Sequence, residues 1–219
     1  RAIVKQGLKI LKLKKNLGLK TLLDISNINS SPSIYHLGYL LGPRINAGGR
    51  VGKCSHGANL LLNKDPKFSF KLASELDQYN KERQLLEKDL LQKILNENKN
   101  YSNDPVIILS GKNWHEGVIG IVAARLKDKF NKPVIIITLD GKIGKASARS
   151  IVGFDIGSVI IAATQENILI KGGGHKMAGG FSIKIENIEK LKKFVFKKFS
   201  SKNENLKTDR PLLFDSIIA

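Results

Sequence analysis

The chain has 219 residues, long enough for one large or two small domains, and its hydrophobic content of 42% is that of an ordinary soluble globular protein. Thirty-seven basic against 19 acidic residues give a formal charge of +18, which points to a polyanionic partner, with nucleic acid ahead of an anionic membrane surface. The single cysteine, Cys54, excludes an intrachain disulfide and fits a reducing cytoplasm, and the longest clear apolar run, Val134 to Leu139, is far short of a membrane span.

Residues 1 to 64 read as short helices over Ala2 to Leu13, Thr21 to Ile25, Ser33 to Leu41 and Ser55 to Leu62. Ser31-Pro32 and Ser55 are plausible helix starts, because serine accepts from free N–H groups and proline suits a first turn. Between the last two helices the segment Gly42 to Arg50 reads as a glycine-rich loop. From Pro66 to about Asn98 there is no internal Pro or Gly, and Leu72, Leu76, Tyr79, Leu86, Leu90 and Ile94 recur at helical spacing. That predicts one helix about 50 Å long, of the kind that joins two domains, or two helices broken near Asn80.

A linker by composition, Asn100 to Pro105, precedes a change of pattern. Strands are expected at Val106 to Leu109, Pro133 to Leu139, Ile143 to Ser150, Ile168 to Ile170 and Phe181 to Ile185. Helices are expected at Gly117 to Phe130, Ile156 to Ala163 and Ile188 to Phe199. The alternation argues an α/β domain. Ser200 to Arg210 reads as a second linker, before an apolar strand-like segment ending at Ala219. With Arg at position 1 and the only methionine at Met177, the chain reads as an internal piece of a longer protein.

The arginines single out the candidate chemistry. Thirty lysines carry most of the positive charge, yet three of the seven arginines, Arg44, Arg50 and Arg149, fall in segments dense in Gly, Ser and Asn. A planar guanidinium grips phosphate bidentately, as an ammonium cannot. In Gly42 to Arg50, the glycines permit close approach, and Arg44, Asn46 and Arg50 can hold a nucleic-acid backbone; the alternative is a capped turn with surface arginines. On a strand over Lys145 to Ser150, Lys145, Ser147 and Arg149 point one way and Ala146 and Ala148 the other, a surface suited to phosphate; the alternative is a decorated edge strand.

Lys171-Gly-Gly-Gly-His-Lys176 offers bare backbone at Gly172, Gly173 and Gly174 and one imidazole, His175, for a phosphate or an outer metal shell; a tight turn would need the same glycines. Trp114 and His115 sit where a strand hands over to a helix, a favoured ligand position. Trp114 is either a base-stacking platform or a packing residue, His115 can serve in acid–base chemistry or bind phosphate, and Glu116 favours the helix N-terminus. No Asp-x-Asp, His-x-x-x-His, CxxC, Walker loop or G-x-S-x-G is present.

Taken together and in order, Leu41-Gly-Pro-Arg-Ile-Asn-Ala-Gly-Gly-Arg50, Trp114-His-Glu-Gly-Val-Ile-Gly-Ile-Val-Ala-Ala-Arg125, Ser147-Ala-Arg-Ser150 and Gly172-Gly-Gly-His-Lys-Met-Ala-Gly-Gly-Phe181 resemble the RecJ family, single-strand-specific 5′-to-3′ DNA exonucleases of the DHH phosphoesterase superfamily. The resemblance covers about residues 1 to 200. It implies an α/β fold in four parts: the C-terminal part of a DHH domain at 1–64, a connecting helix at 65–100, a DHHA1 domain at 101–200, and a linker with the start of an OB-fold at 201–219.

The resemblance also implies roles in DNA repair and recombination in the cytoplasm, with single-stranded DNA as partner and no membrane. Mn²⁺ or Mg²⁺ would be held by residues of the absent N-terminal motifs, so that this piece supplies phosphate binding without autonomous activity. Arg44 and Asn46 would hold the strand near the metals together with Arg50. Ser147 and Arg149 would take the 5′-terminal phosphate region, and His175 with its glycines would face the scissile phosphate. Gly48-Gly49 stands where the family shows Ala-Ala or Ala-Gly, which is expected to loosen the loop. Two other readings are a non-catalytic nucleic-acid-binding module and a related phosphodiesterase for short oligonucleotides or cyclic dinucleotides.

Overall fold

The computed structural model describes residues 2–28, 30–97 and 104–201, which divide into two compact units at Lys93/Ile94. The expected OB-fold start at 211–219, most of the second linker and most of the first fall outside the described residues.

The first unit is all helical. Helices α1 (Ala2–Lys12) and α2 (Leu17–Ile25) are followed by a π-helical turn at His36–Leu41 that runs straight into α3 (Gly42–Val51). Then come α4 (Ser55–Leu62) and the greater part of α5 (Pro66–Asn96), a single 31-residue helix with no break near Asn80. Asn16 caps α2 by accepting from the Leu19 amide. The core is a leucine cluster in which Leu22, Leu23, Leu41 and Leu60 meet the Leu72, Ala73 and Leu76 stripe of α5. The expectation of a loop over Gly42 to Arg50 is corrected here. Gly42 has helical dihedrals and its amide donates to the Leu37 carbonyl, so the chain is helical through Pro43 in the first turn of α3. Gly42 and Gly48 serve packing instead: a Cβ on Gly48 would lie 2.7 Å from the Lys53 carbonyl oxygen and one on Gly42 2.8 Å from that of Leu37, whereas one on Gly49 would meet only Cys54 Cβ at 3.9 Å.

The second unit is a three-layer α/β domain. Its strands are β1 (Ile107–Lys112), β2 (Val134–Asp140), β3 (Ile143–Arg149), β4 (Lys171–His175) and β5 (Ala178–Lys184), in the order β1-β2-β3-β5-β4. Only β1 and β2 run parallel, joined by the crossover helix α6 (Glu116–Phe130), and the other pairs are antiparallel. In β2, Val134 to Thr138 are buried one after another, as expected of a strand covered on both faces. Helix α6 packs on β2 and β3 on one face. On the other, α7 (Ile156–Gln165) and α8 (Ile188–Ser200) close a core of Ala146, Ala148, Phe181 and Ile183 against Val159, Ile160, Leu191 and Val195. Asn131, at φ 51°, ends α6 in the left-handed region that asparagine tolerates.

Two expectations change. Ile168 to Ile170 is not a strand: Ile168 and Leu169 are buried apolar anchors, and the ladder begins at Lys171, so the glycine run is itself β4. Nor is β3 a decorated edge, because it lies in the middle of the sheet between β2 and β5, and its alanine face is core. No helix among the described residues is long and apolar enough to cross a membrane.

Candidate phosphate-binding face

Strand pleat fixes which side chains share a face, and register fixes which of them become neighbours. On β3, exposure alternates, with Lys145, Ser147 and Arg149 more open than buried Gly144, Ala146 and Ala148. In the ladder β3-β5-β4, Lys145 pairs with Ser182, which pairs with Lys171. The next row on the same face is Ser147, Gly180 and Gly173. The third is Arg149, Ala178 and His175. Segments well separated in sequence thus converge on one sheet face. The face is built from two lysines, two serines, an arginine and a histidine around a two-glycine floor.

Helix α6 covers only the β2–β3 side of this face. Its Gly120 lets it settle close to the row: a Cβ there would stand 2.8 Å from the Ser147 hydroxyl and 3.0 Å from Arg149 Nη2. Arg149 Nη1 donates to Ser147 Oγ at 3.2 Å and to the Ala148 carbonyl at 2.8 Å, which fixes the guanidinium beside the hydroxyl. Over β5 and β4 the face is open, forming a groove of about 560 Å³ floored by Gly173 and Gly180. At its rim Lys145 donates to Glu116 of α6 at 2.6 Å, and that bond raises the lysine pKa above its ordinary value. His175 is exposed, and its Nδ1 accepts from the Met177 amide at 3.4 Å. The chain reverses at Lys176 and Met177, so Gly172 to Gly174 are extended backbone rather than a turn.

His115 caps α6, accepting from the Gly117 amide at 3.1 Å through Nδ1, and stands next to Glu116 at the groove rim. Trp114 does not join the face. Its ring lies over Gly111, where a Cβ would come within 2.4 Å of it, and its carbonyl accepts from buried Thr138 at 2.7 Å. It lines a separate cavity of about 300 Å³ with Ile94, Leu109 and Ile188.

The Arg44 segment belongs to the first unit. Six residues on a helix of 3.6 per turn carry Arg44 and Arg50 to different faces. Arg44 Nε donates to Asp77 of α5 at 2.8 Å, and its Nη1 donates to the Leu40 carbonyl at 2.9 Å. Burial pushes the Asp77 carboxyl up, but hydrogen bonds from Lys81 and Arg44, with their charges, outweigh it and hold the pKa below the usual carboxylate value. Asn46 and Arg50, four apart, share the exposed face of α3.

Lys171, Gly180 and Ser182 were not singled out by sequence. Lys171 alternates with Gly173 and His175 in the glycine segment, a local signal, whereas Ser182 is reached only through the β4–β5 register.

No group of three His, Cys, Asp or Glu among the described residues lies close enough to hold a metal ion. The groups present are donors to anions, and they do not fit a divalent-cation site.

The mixed five-strand sheet, the helices on both its faces and the glycine-floored cationic face all lie within residues 103–201, and these residues match the DHHA1 domain. Over most of its length the chain is homologous to RecJ proteins: it is 35% identical over 200 residues to the single-stranded-DNA-specific exonuclease RecJ of Bacillus subtilis, covering 88% of this chain and 25% of the relative. The RecJ of Haemophilus influenzae is 36% identical over 197 residues, covering 85% and 34%. The crystal structure of RecJ in complex with Mg²⁺ from Thermus thermophilus superposes with a TM-score of 0.82 at 29% identity, covering 92% of this chain and 31% of that one. The chain therefore spans about a quarter to a third of the length of these relatives.

Proposed function

We propose that this chain is the phosphate-binding part of a single-strand-specific 5′-to-3′ DNA exonuclease that hydrolyses phosphodiester bonds in DNA repair and recombination in the cytoplasm. Residues 1–64 form the end of a DHH domain, 65–100 the connecting helix and 101–200 the DHHA1 domain. The observation that carries the reading is the alignment of Ser147 and Arg149 with His175 across β3, β5 and β4. A hydroxyl, a guanidinium fork and an imidazole around exposed glycine backbone suit the dianionic phosphate at a 5′ end. Arg149 grips it, Ser147 orients it, and His175 donates from its far side. In the first unit, Asn46 and Arg50 offer an amide and a guanidinium on the exposed face of α3, while Arg44 holds α3 to α5.

The divalent ion of such hydrolysis, Mn²⁺ or Mg²⁺, has no holder among the described residues, so the chemistry assigned to this chain stops at binding and orienting phosphate. That same observation favours a second reading, a non-catalytic nucleic-acid-binding module. Finding Asp-x-Asp and Asp-His-His in the reading frame upstream of Arg1 decides for the enzyme, and a frame without them decides for the module.

The binding test is Arg149→Lys, which keeps the charge and loses the fork. Charge-assisted hydrogen bonds contribute about 1.5–3 kcal/mol, so affinity for a 5′-phosphorylated single strand should fall roughly tenfold or more. Affinity for the 5′-hydroxyl strand should barely change. Equal losses on both strands would remove Arg149 from end recognition.

A further inference from the structure

Beyond the terminal-phosphate row, the same face carries a second set of anion donors. We propose that Lys171 and Ser182, facing Lys145 across the groove, form a separate subsite for the next, internal phosphodiester of the bound strand. The inference rests on the reading above but concerns residues to which that reading gives no role. Lys145, Ser182 and Lys171 lie in one cross-strand row, and the groove is lined by this row and by the Ser147 row. Arg149 and His175 are not among its lining residues. The Lys145 row is two residues from Ser147 along β3, about 6.6 Å at the rise of a strand. A strand whose 5′ phosphate rests on Ser147 and the Arg149 guanidinium beside it, and which extends along β3, therefore brings its next phosphate to the lysine row.

Charge decides which phosphate belongs where. Lys145 is already paired with Glu116 at 2.6 Å, whereas Lys171 is exposed and has no ion pair among the described residues. Two ammonium groups and one carboxylate leave a net single positive charge, matched to a phosphodiester with its single negative charge. The terminal monoester, at about −1.5 to −2, is left to the Arg149 row. The floor supports the same assignment. A Cβ on Gly173 would meet nothing within 4 Å, and one on Gly180 only the Ala146 carbonyl at an ordinary 3.4 Å. Internal packing demands glycine at neither position, yet both lie where a side chain would lift a ligand away from Lys171 and Ser182.

The test uses the full 219-residue chain with Lys171→Ala, Ser182→Ala and Lys171→Arg, after melting curves confirm that these surface changes leave the fold intact. The probes are a 5′-phosphorylated thymidine trinucleotide and thymidine 5′-monophosphate, titrated at several salt concentrations. The expected result is a roughly tenfold weaker trinucleotide complex for Lys171→Ala, a smaller loss for Ser182→Ala, and recovery in Lys171→Arg. The salt slope should be shallower by about 0.7, the value of one neutralised phosphate on a single strand. Binding of the monophosphate should be unchanged. Unchanged trinucleotide affinity in Lys171→Ala, or an equal loss on the monophosphate, overturns the second subsite while leaving the Arg149 site standing. Failure of the unmodified chain to bind either probe overturns the terminal-phosphate reading itself.

Discussion

Gly172 and Gly173 are adjacent in sequence and identical in chemistry, yet the fold gives them opposite burdens, so alanine at each makes a sharp test. Gly172 faces the core side: a Cβ there would stand 2.7 Å from Ile160 Cγ2 and 2.8 Å from Phe181 Cβ. Neither neighbour can retreat easily, since Ile160 and Phe181 are both buried members of the α7–sheet core. Overpacking of this kind costs about 1–3 kcal/mol. In a domain of roughly 100 residues each kcal/mol moves the melting temperature by about 4–8 °C, so Gly172→Ala should lower it by about 4 °C at least and up to about 24 °C. Gly173 faces the open groove with no atom within 4 Å of its would-be Cβ. Alanine there removes the entropic cost of a strand glycine, about 0.5–1 kcal/mol, and should leave the domain unchanged or slightly more stable. Its methyl group nevertheless occupies the floor on which phosphate would rest. Losing one charge-assisted hydrogen bond weakens binding roughly tenfold. Thermal melts followed by Trp114 fluorescence, with anisotropy on a 5′-phosphorylated oligonucleotide, read both effects. Equal destabilisation by the two variants would refute the assignment of faces. A stable Gly173→Ala that binds DNA as the parent does would refute the groove as a phosphate floor.

Asp77 sets the acid limb of the helical unit. Its folded pKa lies below the unfolded value of about 3.9, so its stabilisation is complete above about pH 4 and is lost as pH falls through the folded pKa. Asp77→Asn should cost about 1–2 kcal/mol at neutral pH and flatten the fall in melting temperature below about pH 4; an unchanged acid limb would show that the Asp77 pairs with Lys81 and Arg44 are not the cause. In the other unit, Thr138→Val keeps the side-chain shape but strips the Trp114 carbonyl of its buried donor. It should cost about 1 kcal/mol and shift the emission of the single tryptophan, and an unperturbed spectrum with an unchanged melt would count against that bond.

Local periodicity made the scaffold legible. The α5 stripe from Leu72 to Ile94, the unbroken apolar run of β2 and the period-two face of β3 each follow from a rule acting within one element. Glycine defeated the reading where one residue type serves two physical ends. In Gly42 to Arg50 its presence suggested conformational freedom, but the structure uses it for close packing inside a helix, as at Gly48 against Lys53. In Gly172 to Gly174 it left bare backbone for a ligand and a tight turn both open; the turn lies two residues later, and the glycines are pleated strand. Ile168 and Leu169 misled in the opposite sense, because burial of their side chains requires no ladder beneath them.

The candidate site shows the same division at a higher level. Each motif could be read as anion-binding by itself, because a guanidinium, a hydroxyl or bare backbone has that chemistry wherever it stands. Which groups act together is decided by strand order and register, which no local window contains. The order β3-β5-β4 places the later motif beside the earlier one, and a one-residue slip would turn every group to the core face. Such a slip is opposed by the core itself: Phe181 pairs with Ala146 and packs towards α7, and it would be thrown into the groove, with Gly180 carried into the core in its place. The apolar face of the sheet thus fixes the register, and through the register it assembles the cationic face opposite.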